Sequence, residues 1–293
     1  FENIEITNTK SSGNYTGVIA GNKATIENIS FNHIRIQAEK MHFVGCIGYS
    51  NGRISNVRLN EIYCTGKSYV GGLIGCNGNS TGVVEANGMT IQGEGRVGGV
   101  IGEAQAAVRD VKVTEGSIRG NDCTGGIVGR GYVWRLEAEG LNVEGHSYVG
   151  GVVGEALMLD NTNQHYLEGN ELNVKGSGKY VGGLIGSGGD CEHNEITNST
   201  VEGTTQYSNY VGGIIGNMSA YNGYYSKAEN VKVISKGSYV GGIAGFIAGE
   251  LEYSFVDQCY VEGDSYVGGM FGRYYNTYRK NLYVNAEVVA TNH

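Results

Sequence analysis

The chain has 293 residues, no proline, 51 glycines and a formal net charge of −8. An acidic balance without a basic cluster excludes a reader of nucleic-acid backbones, and no apolar run approaches the ~20 residues of a membrane span. Glycine at this level, without proline or a triplet repeat, does not describe a linker or collagen; it describes turns and close backbone approaches repeated many times.

In chain order, Phe1-Glu2-Asn3-Ile4-Glu5-Ile6 reads as strand entered in mid-repeat. Phe1 is not a natural chain start, so a processed or excised piece is expected. A first strand pattern follows at Ile26, Ile29 and Phe31, and returns at Ile54, Val57, Leu59 and at Val108, Val111, Val113. A second alternates and ends at glycine: Ile62, Cys64, Gly66; Met89, Ile91, Gly93; Leu141, Val143, Gly145; Leu172, Val174, Gly176; Cys259, Val261, Gly263. Alternation at period two marks a strand with one buried face. The third pattern is a seven-residue motif, Tyr-Val-Gly-Gly-aliphatic-aliphatic-Gly. Clear copies start at Tyr69, Tyr148, Tyr180, Tyr210, Tyr239 and Tyr266, looser ones at Tyr15, Phe43, Arg96 and Cys123. The spacings between starts are 28, 26, 27, 27, 25, 32, 30, 29 and 27 residues.

A fixed period of this size is the mark of a solenoid in which one repeat is one turn. Three short strands per turn predict an all-β, single-stranded parallel β-helix of about ten turns over residues 1–293, one domain without subdivision. Turns stacked at ~4.8 Å make a rod of roughly 45–50 Å, and a right-handed coil is expected because parallel crossovers are right-handed.

Within the motif the Val70 position is β-branched in every copy (Thr16, Val44, Val97, Thr124, Val149, Val181, Val211, Val240, Val267), and the Leu73 position is always apolar. Ile19, Ile47, Val100, Ile127, Val152, Leu184, Ile214, Ile243 and Met270 are assigned to that second column. The two positions are three apart, so both point inward only if a bulge or kink at Gly71-Gly72 breaks the alternation. The Tyr69 column then faces outward as a ladder, stabilised by stacking of like side chains and able to serve as a platform for sugar rings.

With Ser68-Tyr69-Val70-Gly71-Gly72-Leu73-Ile74-Gly75 in view, and the preceding strands Ile54-Ser55-Asn56-Val57 and Glu229-Asn230-Val231-Lys232-Val233, the chain resembles the GLUG-motif repeats of bacterial surface and secreted proteins. Similar repeats occur in the N-terminal region of IgA1-cleaving metallopeptidases and in adhesin-like proteins. The resemblance implies a β-solenoid in an extracellular or cell-surface setting. The chain departs from the pattern at Arg96 and Cys123, which replace the leading aromatic, and at Tyr49, where the final glycine is missing.

No HExxH helix, nucleophile elbow or phosphate loop is present. Glu192-His193-Asn194-Glu195 is the densest polar cluster and is placed in an inter-strand loop, without a second histidine at ligand spacing. Glu103, Arg130 and Glu155 follow the last motif glycine in three successive turns and read as an exposed charge ladder, with an acid–arginine catalytic cluster as the alternative. The six cysteines lack CxxC spacing and are expected to be buried free thiols. No cofactor and no metal is expected.

Insertions in solenoids tend to gather on one face. The long interval holding Leu157–Tyr166, the tyrosines Tyr221, Tyr224, Tyr225 and the trio Tyr274, Tyr275, Tyr278 are such breaks. With Tyr148, Tyr180, Tyr210, Tyr239 and Tyr266 of the ladder, these tyrosines form the predicted contact surface for a host or cell-surface protein or glycan. The expected function is a non-catalytic adhesive or spacer stalk. The alternatives are the accessory region of an IgA1-protease-like peptidase, an end-to-end filament subunit, and a carbohydrate-active β-helix enzyme. Neither end carries a capping helix, so flanking domains or self-association are expected to cover the ends.

Overall fold

A computed structural model describes residues 1–8, 14–157, 166–188, 191–218, 222–275 and 279–292. The described residues form strands and turns without helix, and every strand pair is parallel. A 10-stranded sheet holds the first half of each motif, from Tyr15–Thr16 to Val267–Gly268, one strand per turn. All other strands belong to a 22-stranded sheet. The chain is thus a β-solenoid of about ten turns, as the repeat predicts.

One turn shows the construction. Ile54–Thr65 is a single strand that bends at Glu61; Tyr69–Gly71 starts the motif and Ile74–Asn77 ends it. The third predicted strand is therefore broken in two at Gly72 and Leu73. The bend at Glu61 lies in the left-handed region (φ 52°), which lets Leu59 and Ile62 both point inward although three residues apart. The corner is repeated by His33, Gly88, Glu115, Gly140, Glu171, Asn198, Asn230 and Gln258, all at positive φ. Side chains other than glycine are strained there. Amide ladders offset part of the strain: Asn198 donates to Asn170 at 3.0 Å and Asn230 to Asn198 at 2.8 Å.

The core is a set of stacked columns. Val70 and Leu73 are both fully buried, and so is Ile74. The reason is a repeated irregularity in the ladder: the amides of Leu73 and Ile74 both donate to the carbonyl of Val100, at 3.0 Å each. Val100 and Ile101 share Ile127, and the pattern continues to Ile243 and Ala244 on Met270. Two residues facing one acceptor is the signature of a bulge, here at Leu73-Ile74, just after the predicted glycine pair. The glycines serve close approach instead. A methyl on Gly71 would collide with the carbonyls of Ile74 and Val100, and one on Gly72 with that of Gly99.

Register corrects the alignment of the first two turns. Ile19 pairs with Ile47, and Ile47 with Ile74, not with Leu73. These motifs are one residue shorter; buried Cys46 takes the Leu73 place, and Gly48 packs on the preceding turn as Gly75 does. The final glycine is therefore not lost at Tyr49. Large apolar side chains are exposed on the outermost turns, at Phe1, Tyr283, Val284 and Val288.

Candidate functional site

The motif tyrosines stand at the entrance of the break, beside a backbone with no side chain at Gly71 or Gly72 to displace them. From Tyr148 to Tyr266 each lies at positive φ, between 53° and 64°. Parallel register puts like above like. Tyr210 and Tyr239 stack with centroids 4.9 Å apart, Tyr239 and Tyr266 4.7 Å, Tyr180 and Tyr210 5.5 Å, and Tyr148 and Tyr180 tilt together at 5.1 Å. At the other end Tyr15, Phe43 and Tyr69 stack at 5.2 and 4.6 Å. The predicted ladder is present. It is half-buried from Tyr148 to Tyr239 and exposed at Tyr266.

What covers its inner side is a second column, formed by the residue after the last motif glycine: Tyr49, Cys76, Glu103, Arg130, Glu155, Ser187, Asn217, Phe246 and Arg273. The two columns face each other along the rod. Tyr49 meets Tyr15, and Phe246 meets Tyr210 edge-on at 5.9 Å.

In the middle, where Arg96 and Cys123 interrupt the ladder, the facing column is charged. Arg96 donates to Glu103 at 2.7 Å and to the Tyr69 hydroxyl at 2.9 Å. Arg130 donates to Glu155 at 2.6 Å and lies 3.6 Å from Glu103. Glu103 is buried, and Arg96, Arg130 and Glu155 are about two-thirds covered. The expected exposed charge ladder is in fact a half-buried ion network, and Arg96 is its fourth member. Every charge in it has an opposite partner. Burial pushes the thiols of Cys76 and Cys123 up to about 12, with Glu103 adding to the effect at Cys76 and Asp122 and Glu155 at Cys123. These thiols are protonated at neutral pH, unlike nucleophilic cysteines. Cys46, Cys64, Cys76, Cys123 and Cys259 are all buried and free.

Beyond the network lies a hollow of about 300 Å³ lined by Tyr180, Tyr210, Asn217, Phe246, Arg273 and Tyr275. The Arg273 guanidinium stands over Tyr239, Phe246 and Tyr275, at 5.8, 5.8 and 5.3 Å from the ring centres. Asn217 donates to Ser187 at 3.1 Å.

Of the remaining predicted tyrosines, Tyr274, Tyr224 and Tyr225 do not share this surface. Tyr274 pairs with Ile247 and packs partly against the core. Tyr224 and Tyr225 sit on another edge, with Tyr166, His193, Tyr253 and Phe255. There Tyr166 stacks on His193 at 6.1 Å, His193 on Tyr225 at 5.5 Å, and Tyr224 tilts on Tyr253 at 5.2 Å. Tyr221, Tyr278 and residues 158–165 lie outside the described residues. His193 is not in a loop but at a left-handed corner inside the strand Cys191–Thr197, and Asn194 points into the core. Sequence reading missed this second aromatic edge because unequal insertions hide the register that aligns His193, Tyr225 and Tyr253.

A larger depression, about 670 Å³, runs along the face bearing Arg58, Glu85, Lys112 and Glu137. Its charges are paired between turns, Arg58 with Glu85 at 3.3 Å and Lys112 with Glu137 at 3.2 Å. Among the described residues no group of three or more His, Cys, Asp or Glu side chains could hold a metal ion.

Fold and surface together define a parallel β-solenoid with a lateral aromatic groove. No family model, curated protein or solved structure matches the chain.

Proposed function

We propose that this chain is a non-catalytic adhesive or spacer segment of an extracellular bacterial protein, built from GLUG-type repeats, and that it holds a host or cell-surface protein or glycan along its aromatic groove. The observation that carries the reading is the run Tyr180–Tyr210–Tyr239–Tyr266, stacked ring on ring, half open to solvent and bordered by a hollow. Preordered aromatic rings present contact area at low entropic cost. The acid–arginine network beside it supports a structural role, since each carboxylate is engaged by an arginine and a general acid or base needs a free proton site.

The test is attachment of the purified chain to immobilised host matrix, glycan and bacterial surfaces, with Tyr210→Ala/Tyr239→Ala as the control. Attachment lost in the variant, with no turnover of polysaccharide or protein by either, supports the reading. Attachment untouched by the variant, or turnover abolished by Glu103→Gln or Glu155→Gln, overturns it.

A further inference from the structure

Resting on the reading of the groove as a contact surface, we propose that the hollow around Arg273 is a subsite for an anionic sugar residue, a pyranose ring bearing a carboxylate or a sulfate.

The chemistry follows from the lining. Tyr180, Tyr210, Phe246 and Tyr275 supply apolar ring area, and the aliphatic face of a pyranose packs on such rings. Asn217 gives its amide hydrogen to Ser187, which leaves its amide oxygen as an acceptor for a sugar hydroxyl. Among the described residues no carboxylate lines the hollow, so a bound anion meets no like charge from them.

Arg273 decides the ligand's sign. Among the described residues it stands against the rings of Tyr239, Phe246 and Tyr275 and makes no ion pair with a carboxylate. By contrast, Arg130 in the same column is neutralised by Glu155 at 2.6 Å, and Arg96, which stands over Tyr69 from within the ladder, by Glu103 at 2.7 Å. Cation–π contacts hold the guanidinium without consuming its N–H donors. A planar fork so held is preorganised for two parallel hydrogen bonds to a carboxylate or sulfate. The chain's net charge of −8 works against anions at long range. That field is screened beyond ~10 Å at 0.1 M salt, so the local guanidinium governs at physiological ionic strength.

The test is calorimetric titration of the whole chain at physiological ionic strength with three tetrasaccharides of equal length: an oligogalacturonate, a heparin-derived sulfated one and neutral cellotetraose. At least one anionic oligosaccharide is expected to bind ten-fold or more tighter than the neutral one. Which of the two does so separates carboxylate from sulfate recognition. Arg273→Gln should abolish the preference, Arg273→Lys should retain part of it, and Phe246→Ala should weaken all binding. Arg273 is exposed, so its variants should keep the parent melting temperature. Equal binding of all three sugars, a preference unaffected by Arg273→Gln, or no sugar binding at all overturns the subsite. The surface-attachment assay separates the two ideas: groove-dependent attachment without anionic preference removes the subsite and leaves the adhesive reading, whereas loss of both removes both.

Discussion

Leu184 and Ile185, adjacent in the chain, both donate their amides to the carbonyl of Ile214 one turn on, at 2.9 Å each. Two consecutive side chains consequently point into the core, and each turn closes with a sharp corner instead of a longer loop. The arrangement recurs through the stack. Its failure at one turn would propagate to both neighbours, because each turn of a solenoid is stabilised chiefly by the turns beside it.

Leu184→Ala should therefore cost roughly 2–5 kcal/mol, the range for a buried leucine whose cavity cannot fully collapse. Gly183→Ala should cost more, although it adds only one methyl. That methyl would overlap the carbonyl oxygen of Gly213 and the side chain of Ile196. Urea unfolding of the two variants checks the order; a milder Gly183→Ala would contradict the close-approach account.

Arg130→Ala should destabilise by about 2–3 kcal/mol, less than the ~3–5 kcal/mol of a fully buried pair because these groups keep some solvent. The loss leaves buried Glu103 held by Arg96 alone and Glu155 without its 2.6 Å partner. Adding Glu155→Gln should recover part of the loss. A double variant no better than Arg130→Ala would show that packing of the arginine stem, not charge, carries the effect.

The thiols set an alkaline limit. Cys76 and Cys123 are held at about 12 in the folded chain, against an ordinary value of 9.0. The unfolded chain therefore releases these protons first. Their contribution is whole below pH 9 and stability declines as pH rises from 9 toward 12. Chemical denaturation against pH should show that decline, weakened in Cys76→Ala/Cys123→Ala. A thiol reagent at pH 8 should modify neither cysteine until the chain unfolds.

Tyr210→Ala removes contacts with Tyr180, Tyr239 and Phe246. At ~0.5–1.5 kcal/mol per aromatic pair, the three pairs give an expected loss of about 1.5–4.5 kcal/mol, measured by thermal melting. Tyr266→Ala, at the exposed end with Tyr239 as its ladder partner, should cost less. Equal losses would mean that the ladder is not held by stacking.

The period, the parallel stacking and the inward columns were legible in the residues alone. A solenoid repeats one local solution about ten times, so the pattern of Val70, Leu73 and the glycines announces it in every turn. The aromatic ladder was legible for the same reason, since parallel register converts equal position into contact. Tertiary structure alone decided what lies across from the ladder. Glu103, Arg130 and Glu155 read as exposed because the chain does not reveal that the two halves of the motif fold back on each other and shelter them. It alone decided that Ile47 stacks under Ile74, because a missing residue shows only in register. It brought His193 to Tyr225 on a separate edge, and it set Arg273 among three rings drawn from two successive turns. Local periodicity fixes what stacks along the rod; contacts across the rod depend on where each turn bends.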